Sequence, residues 1–343
     1  MIFIVFKTHN SLYQCLVSVL IWCTIFSSDL NGQQLPTFTQ YREYHGLLNP
    51  ASVYIDYIRE THSTFVGMST RLQWAGIPNA PKTHLLHVER LIRRGTAYKK
   101  SFVQPNVGLY LLSDNAGRLS TNGIYGKMSV IFSSDPEYVG VAVGINAGLI
   151  QYNIRINDGE EAIASGNFSN GKIHPDVGLG VFSYRRISDG EAVIFGGFSI
   201  PQFFTNEVKF SDNLQYSKVK HMYATVGYNK RTSSGGFVET SCWLKKVDGL
   251  GFVVDGNSRY QFGNLFWIGG GYSTAGIINA ETGVNINFFT KGNKRQANNR
   301  LKIGLGFESP IFLASAFGNS YELNLSYSLG RTSTKNKTYR HRK

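Results

Sequence analysis

Between Ser320 and Gly330 the chain reads SYELNLSYSLG. Tyr321, Leu323, Leu325, Tyr327 and Leu329 take every second position, and Glu322, Asn324, Ser326 and Ser328 fill the gaps. An extended strand points successive side chains to opposite faces, so this segment has one apolar and one polar face. The same alternation recurs. Leu301, Ile303, Leu305 and Phe307 oppose Lys302, Gly304, Gly306 and Glu308. Ile278, Ala280, Thr282, Val284, Ile286 and Phe288 oppose Asn279, Glu281, Gly283, Asn285 and Asn287. Asp255, Asn257, Arg259 and Gln261 share a face opposite Val254, Tyr260 and Phe262. Strands are expected over 62–74, 82–93, 101–113, 120–132, 137–150, 177–187, 191–203, 220–231, 235–246, 249–262, 265–275, 278–290, 299–309 and 320–330. Most reach the roughly 9–11 residues that a tilted membrane strand needs.

Water-soluble sandwiches also alternate, so the strands alone leave open what covers the apolar face. The connections narrow the choice. One end of the strand array is expected to carry tight turns such as SSDP (133–136), SDG (188–190), TSSG (232–235) and GN (263–264). The other carries longer loops at 74–81, 151–176, 205–220 and 309–320. The short 246–249 connection and the long 290–299 connection run against that trend. An even strand count with short turns at one end and long loops at the other is the layout of an outer-membrane barrel. The 37 Gly and 23 Phe in 343 residues suit strands and turns better than helices. No apolar run of about 18 residues follows the N-terminal region, so spanning helices are not expected. The fold class is therefore all-β: a transmembrane antiparallel β-barrel of fourteen strands whose apolar face meets lipid.

The first 32 residues read differently. Lys7 precedes the apolar block Cys15–Phe26, and the polar SSDLNGQQ follows. This is the shape of a secretory signal peptide with cleavage after Gly32. Its removal leaves Cys242 as the remaining cysteine, hence no internal disulfide. The expected organisation is a signal peptide (1–32), an N-terminal periplasmic arm (33–61), the barrel (62–330) and a basic periplasmic tail (331–343). Pro50 biases Asn49 toward extended backbone, and the arm is expected either to fold into the barrel or to cross its inner mouth.

The polar face would line the lumen, with Asp255, Arg259, Glu281, Lys302 and Glu308 pairing with one another or with water. Catalytic signals are missing. The chain has no HExxH, CxxC, P-loop or G-x-S-x-G. His84 and His87, three apart on a strand, point to opposite faces and cannot jointly hold a metal. No enzyme activity, cofactor or metal is expected. The formal net charge of +13 is concentrated in RRISDGE, TKGNKRQANNR and the tail after Gly330, all on the expected periplasmic side. A barrel is a poor nucleic-acid partner, so these clusters fit an acidic periplasmic protein or the cell-wall surface.

Particular residues then carry a resemblance. QQLPTFTQY (Gln33–Tyr41), LLNPAS (Leu47–Ser52), RLQWAGIPNAPKT (Arg71–Thr83) and GLYLLSDNAGRLS (Gly108–Ser120) occur in order. HPDVGLGVFSY (His174–Tyr184), FGGFSIPQFF (Phe195–Phe204), HMYATVGY (His221–Tyr228) and GNSYELNLSY (Gly318–Tyr327) follow. The series resembles the PorP/SprF family of type IX secretion system outer-membrane proteins. Tyr321 stands before Glu322 where the family usually has His, and the basic tail extends past the usual last strand. The resemblance implies an outer-membrane barrel of Gram-negative bacteria that supports secretion, or surface anchoring of a client such as a gliding adhesin through its C-terminal signal domain. It also implies contact with the periplasmic lipoprotein ring. Arg71 and Gln73 would face the lumen and Trp74 the outer aromatic girdle. Pro78 and Pro81 would stiffen a loop for client or partner docking. A competing expectation is an outer-membrane channel or transporter of hydrophobic small molecules, which would need an apolar path through the lumen. An outer-membrane enzyme would need a catalytic constellation that the sequence lacks.

Overall fold

The computed structural model describes residues 38–60, 62–92, 102–136, 138–155, 170–187, 191–204, 207–212, 214–248, 251–263, 265–292, 295–311, 318–330 and 333–334. The expected signal peptide and most of the basic tail lie outside these residues. The strands are β1 (His62–Leu72), β2 (Lys82–Leu91), β3 (Val103–Ala116), β4 (Leu119–Phe132), β5 (Val139–Ile154), β6 (Lys172–Ile187) and β7 (Ala192–Gln202). A short hairpin follows, β8 (Glu207–Ser211) and β9 (Leu214–Ser217). Then come β10 (His221–Arg231), β11 (Phe237–Val247), β12 (Phe252–Phe262), β13 (Phe266–Ser273), β14 (Ile277–Gly292), β15 (Arg295–Pro310), β16 (Ser320–Gly330) and β17 (Ser333–Thr334).

All fourteen expected strands are present. β1–β7 and β10–β16 pair antiparallel with their neighbours, and β1 with β16 closes the ring, Arg71 opposite Glu322 and Val66 opposite Tyr327. No strand of the ring keeps a free edge, which is the condition for crossing hydrocarbon. No helix of the described residues is long and apolar enough to cross a membrane, a fact that says nothing about strands.

The expected long turn at 290–299 is corrected. β14 and β15 stay paired as far as Gly292 opposite Arg295, so the connection shrinks to residues 293–294. Polar residues such as Asn287 and Asn299 do not end a strand whose backbone groups still find partners across the ladder. An even number of strands puts His62 and Gly330 at one end, and the connections there at 133–138, 188–191, 232–236, 263–265 and 293–294 are short. That end is periplasmic by the rule for such barrels, and the connections at 73–81, 155–171, 203–220 and 311–319 face outward.

Burial inverts the soluble pattern. In β16 Leu323 is 50% exposed and neighbouring Asn324 is 1% exposed. Val66, Leu86, Leu109, Val143, Val181, Val226 and Leu305 form a continuous exposed apolar wall, while Glu89, Lys127, Asn146, Arg300 and Lys302 are buried. An apolar belt of this extent, facing outward from a closed ring, is stable in hydrocarbon and not in water.

The lumen is filled. Residues 38–60 of the expected periplasmic arm lie inside the barrel, forming a 3-10 turn Tyr41–Glu43 and short helices His45–Leu48 and Ile55–Glu60. Phe38, Tyr44, Ala51, Val53, Ile55, Tyr57 and Ile58 are buried. Toward the periplasmic end, Val53, Tyr54, Ile55, Tyr57 and Ile58 share one apolar cluster with wall residues Phe65, Leu91, Ile131, Phe182 and Phe195. Toward the outer end, Phe38, Tyr44 and Leu47 share another with Leu85, Tyr110, Leu112, Tyr125 and Tyr152. Val208 and Phe210 of β8 complete the outer cluster, so the β8–β9 hairpin folds inward from an outer loop.

Candidate functional site

The site is the filled lumen and its outward mouth. The N-terminal segment threads the barrel lengthwise, with Phe38–Gln40 near the outer ends of the strands and Ile58 near their periplasmic ends. Polar wall residues hold it along the whole path.

At the outer end Arg71 of β1 gathers three elements. Its Nη2 lies 2.5 Å from Glu308 Oε2 of β15 and its Nη1 lies 3.6 Å from Glu322 Oε2 of β16. Arg71 Nη1 also donates to Thr39 Oγ1 at 2.7 Å, and Thr39 Oγ1 donates to Glu308 Oε1 at 2.9 Å. Glu322 accepts the backbone N–H groups of Thr39 and Gln40 at 2.7 and 3.3 Å. Two wall carboxylates and one wall guanidinium thus clamp the start of the threaded segment.

In mid-lumen Lys302 of β15 pairs with Asp56 and, at 3.6 Å, with Glu43. Arg42 pairs with Asp56 and reaches Glu239 of β11 at 3.0 Å. Asn324 donates to Tyr44 Oη at 2.6 Å and Ser326 to Glu43 Oε2 at 3.3 Å. Tyr54 Oη lies 2.9 Å from His87 Nε2. A second buried pair, Lys127 with Glu89 at 2.7 Å, sends Lys127 on to the carbonyl of Ser52 at 3.1 Å. Ser199 donates to the Leu48 carbonyl at 2.7 Å, and Arg186 donates to that of Ile58.

Burial would raise the Asp56 carboxyl, but Lys302 and Arg42 outweigh it and hold it well below the usual range. The same balance, with Lys302 and Arg42 against burial, lowers Glu43. Burial pushes His45 down to about 4, so its imidazole is neutral inside the barrel.

Asn49–Pro50–Ala51 sits where the wall has no side chains. Asn49 Nδ2 donates to the Val181 carbonyl at 3.0 Å, and Asn49 Oδ1 accepts the Ala51 N–H at 2.9 Å. Its neighbours on the wall are Gly144 of β5, Gly180 of β6 and Gly197 of β7. A Cβ on Gly144 would lie 2.5 Å from the Pro50 carbonyl, so the close approach requires glycine.

The residues expected to carry function fall into two groups. Arg71, Lys302 and Glu308 face the lumen and bind the threaded segment. Asp255 pairs with Lys245, and Arg259 stands 4.0 Å from Glu281 and 5.1 Å from the Trp267 ring, so these line the wall of another sector. Gln73, Trp74, Pro78 and Pro81 lie past the end of β1 at Leu72, in the outward connection. Trp74 turns the chain with φ of 52°, and the loop is strapped to its neighbours by Ala75 N–H to Asn319 and Gly117 N–H to Asn79. Leu72, Gly76, Ile77, Asn79 and Lys82 border a depression of about 330 Å³ there.

One feature escaped the sequence reading, the hairpin, whose base is fixed by Lys218 Nζ to Asp176 Oδ1 at 2.6 Å and by Tyr216 packed on Tyr152, centroids 5.4 Å apart. The sequence left two paths open for the arm, and the structure takes the one into the barrel. The density of large apolar residues between Phe38 and Ile58 was the available signal, since a solvated arm has no use for them. Among the described residues no cluster of His, Cys, Asp or Glu is arranged to hold a metal.

Three solved barrels show the level of structural likeness. The Ralstonia pickettii toluene transporter TbuX is 12% identical, with 84% of this chain and 93% of that chain covered and a TM-score of 0.47. The P. putida toluene transporter TodX is 9% identical, with 85% and 94% covered and a TM-score of 0.40. The β domain of the Bordetella autotransporter BrkA is 12% identical, with 79% and 99% covered and a TM-score of 0.35. The closed ring here rests on its own strand pairing and not on these likenesses. No curated protein matches the chain in sequence. The model of the type IX secretion system membrane proteins PorP/SprF matches residues 30–327, nearly the whole length of this outer-membrane barrel. The chain belongs to the PorP/SprF family.

Proposed function

We propose that this barrel is a non-enzymatic docking element of the type IX secretion system, which holds a secreted client by its C-terminal signal domain and meets the periplasmic lipoprotein ring at its inner face. The observation that carries the reading is the occupied lumen. A segment of the chain itself, fixed by Arg71, Lys302, Lys127 and Glu322, stands where a passive pore would need open space. A transporter of hydrophobic solutes would need an apolar path, and the apolar clusters of the lumen are already filled by Tyr44, Leu47, Tyr54 and Ile58. A barrel whose lumen is occupied by its own chain suits holding a polypeptide better than passing a solute. Export through a signal peptide cleaved after Gly32 belongs to the same reading.

Deletion of the gene tests it. Loss of one polypeptide from the cell surface is expected if the barrel is a dedicated anchor, and general retention of secreted proteins if it serves the core machinery. Unchanged secretion and surface display, together with lost uptake of a labelled hydrocarbon, would overturn the proposal.

A further inference from the structure

The lipid side of the wall changes character near its outer end. On β2, β3 and β4 the exposed ladder partners Leu86, Leu111 and Ile124 belong to the apolar belt. The next side chains on the same face toward the outer end are His84, Ser113 and Asn122, and the next after those Lys82, Asn115 and Ser120. Thr70 Oγ1 of β1 lies 3.2 Å from His84 Nδ1, and Ser113 Oγ donates to Asn122 Oδ1 at 2.8 Å, so the first polar row is bonded from strand to strand. A switch from apolar to polar along one face of consecutive strands marks where the wall leaves hydrocarbon and enters the headgroup layer.

The depression of about 330 Å³ beside the 73–81 connection opens at this level. Leu72, Lys82 and Asn115, successive ladder partners on the lipid side, form one border, and Arg155, the residue after β5, stands on another. Ile77 and Asn79 of the connection complete it. Backbone bonds fix the rim. Gln73 N–H donates to the Pro81 carbonyl at 2.9 Å, Gly117 N–H to that of Asn79 at 3.0 Å, and Arg155 N–H to that of Arg118 at 3.0 Å. Two cations and two side-chain amides border the depression, and no carboxylate does among the described residues. Such a set selects an anion with several hydrogen-bonding oxygens, as a phosphate has. The apolar row just below, on the same face of the same strands, selects a phosphate attached to hydrocarbon over a free one.

We propose that this depression binds the phosphate headgroup of an outer-leaflet glycolipid, with Lys82 and Arg155 on the phosphate and the acyl chains against Leu86 and Leu111. The site lies on the opposite side of the wall from the threaded segment, and its test involves no client, so it stands or falls apart from the docking function. The full barrel, purified in detergent and stripped of lipid, is titrated with phosphorylated lipid A, with the same lipid after phosphatase treatment, and with inorganic phosphate, and bound species are read by native mass spectrometry. Lys82→Gln with Arg155→Gln is compared with Arg90→Gln with Lys230→Gln, which removes the same charge from two exposed residues near the periplasmic end. All four side chains are exposed, and heat-modifiable migration checks that each barrel is folded. The Lys82/Arg155 pair is expected to weaken binding of the phosphorylated lipid about tenfold or more, with the control pair unchanged and the dephosphorylated lipid bound alike by all three proteins. Equal affinity of the wild type and the Lys82/Arg155 variant for the phosphorylated lipid overturns the site. An equal loss in the control pair reduces it to net charge and overturns it too. Inorganic phosphate bound through Lys82 and Arg155, with no preference for the phosphorylated lipid, assigns the depression to a free anion and overturns the lipid.

Discussion

Arg71 shows how much one lumenal side chain can carry. It is buried between Glu308 and Glu322 and also bonds Thr39. Arg71→Met removes the cation from two buried carboxylates, and such a loss costs about 3–5 kcal/mol. A lower guanidinium midpoint in detergent is expected, partly restored by adding Glu322→Gln. A destabilised single variant with no recovery in the double would show that the carboxylates are not the cause. Gly144 carries the opposite constraint. Gly144→Leu puts carbon where the Pro50 carbonyl already stands. The ring should still close, because Gly144 keeps its backbone pairing with Val181's neighbour Gly180, and the threaded segment should become open to protease. Arg71 was legible as an inward residue from alternation alone. Its partners were not, since Thr39, Glu308 and Glu322 are brought together by ring closure across more than two hundred residues.

At the scale of elements, the segment 38–60 is held by charges whose protonation has a definite sign. Glu43 and Asp56 titrate below their ordinary values of 4.5 and 3.8, so their contribution is full above those values and is lost as pH falls through the lowered ones. His45 is held neutral with its pKa near 4, against an ordinary 6.5, so excluding its proton becomes costly as pH falls below 6.5. These three groups act in one direction, each weakening its hold on the segment in acid. Proteolysis of the N-terminal region of the purified barrel should speed up as pH drops from neutral toward 4, with His45→Gln flattening the upper part of that profile. Deleting 38–60 should turn a non-conducting barrel in a planar bilayer into a conducting one. The hairpin is a smaller seal. Phe210 is buried among Tyr125, Tyr152 and Val208, and Phe210→Ala should cost about 3–5 kcal/mol if the cavity does not collapse. The strands themselves were readable from their period of two. The hairpin was not, because two strands of five and four residues with Glu207, Lys209 and Gln215 look like any polar loop until the lumen covers Val208 and Phe210.

For the whole molecule, the reversed burial pattern makes a direct prediction about lipid. Leu323 is half exposed on the outer wall. Leu323→Arg should destabilise the barrel by about 2–4 kcal/mol if that position lies at the bilayer midplane and by less than about 1 near an interface. Unfolding into urea from lipid vesicles measures the difference, and an unchanged midpoint would mean that protein, not lipid, covers this face. The boundary at 290–299 marks the limit of reading charges as loops. Lys291, Gln296 and Asn298 are polar, yet their backbones continue the β14–β15 ladder.

Alternation along single strands settled by itself that this chain forms an antiparallel sheet with one apolar face, because side-chain direction on a strand is a local property. The motifs from Gln33 to Tyr327 identified its kin. What occupies the inside had to come from tertiary structure. Whether a polar wall residue meets water, another wall residue or residues 38–60 depends on the diameter of the closed ring and on which strands face each other across it. No window of sequence contains that distance.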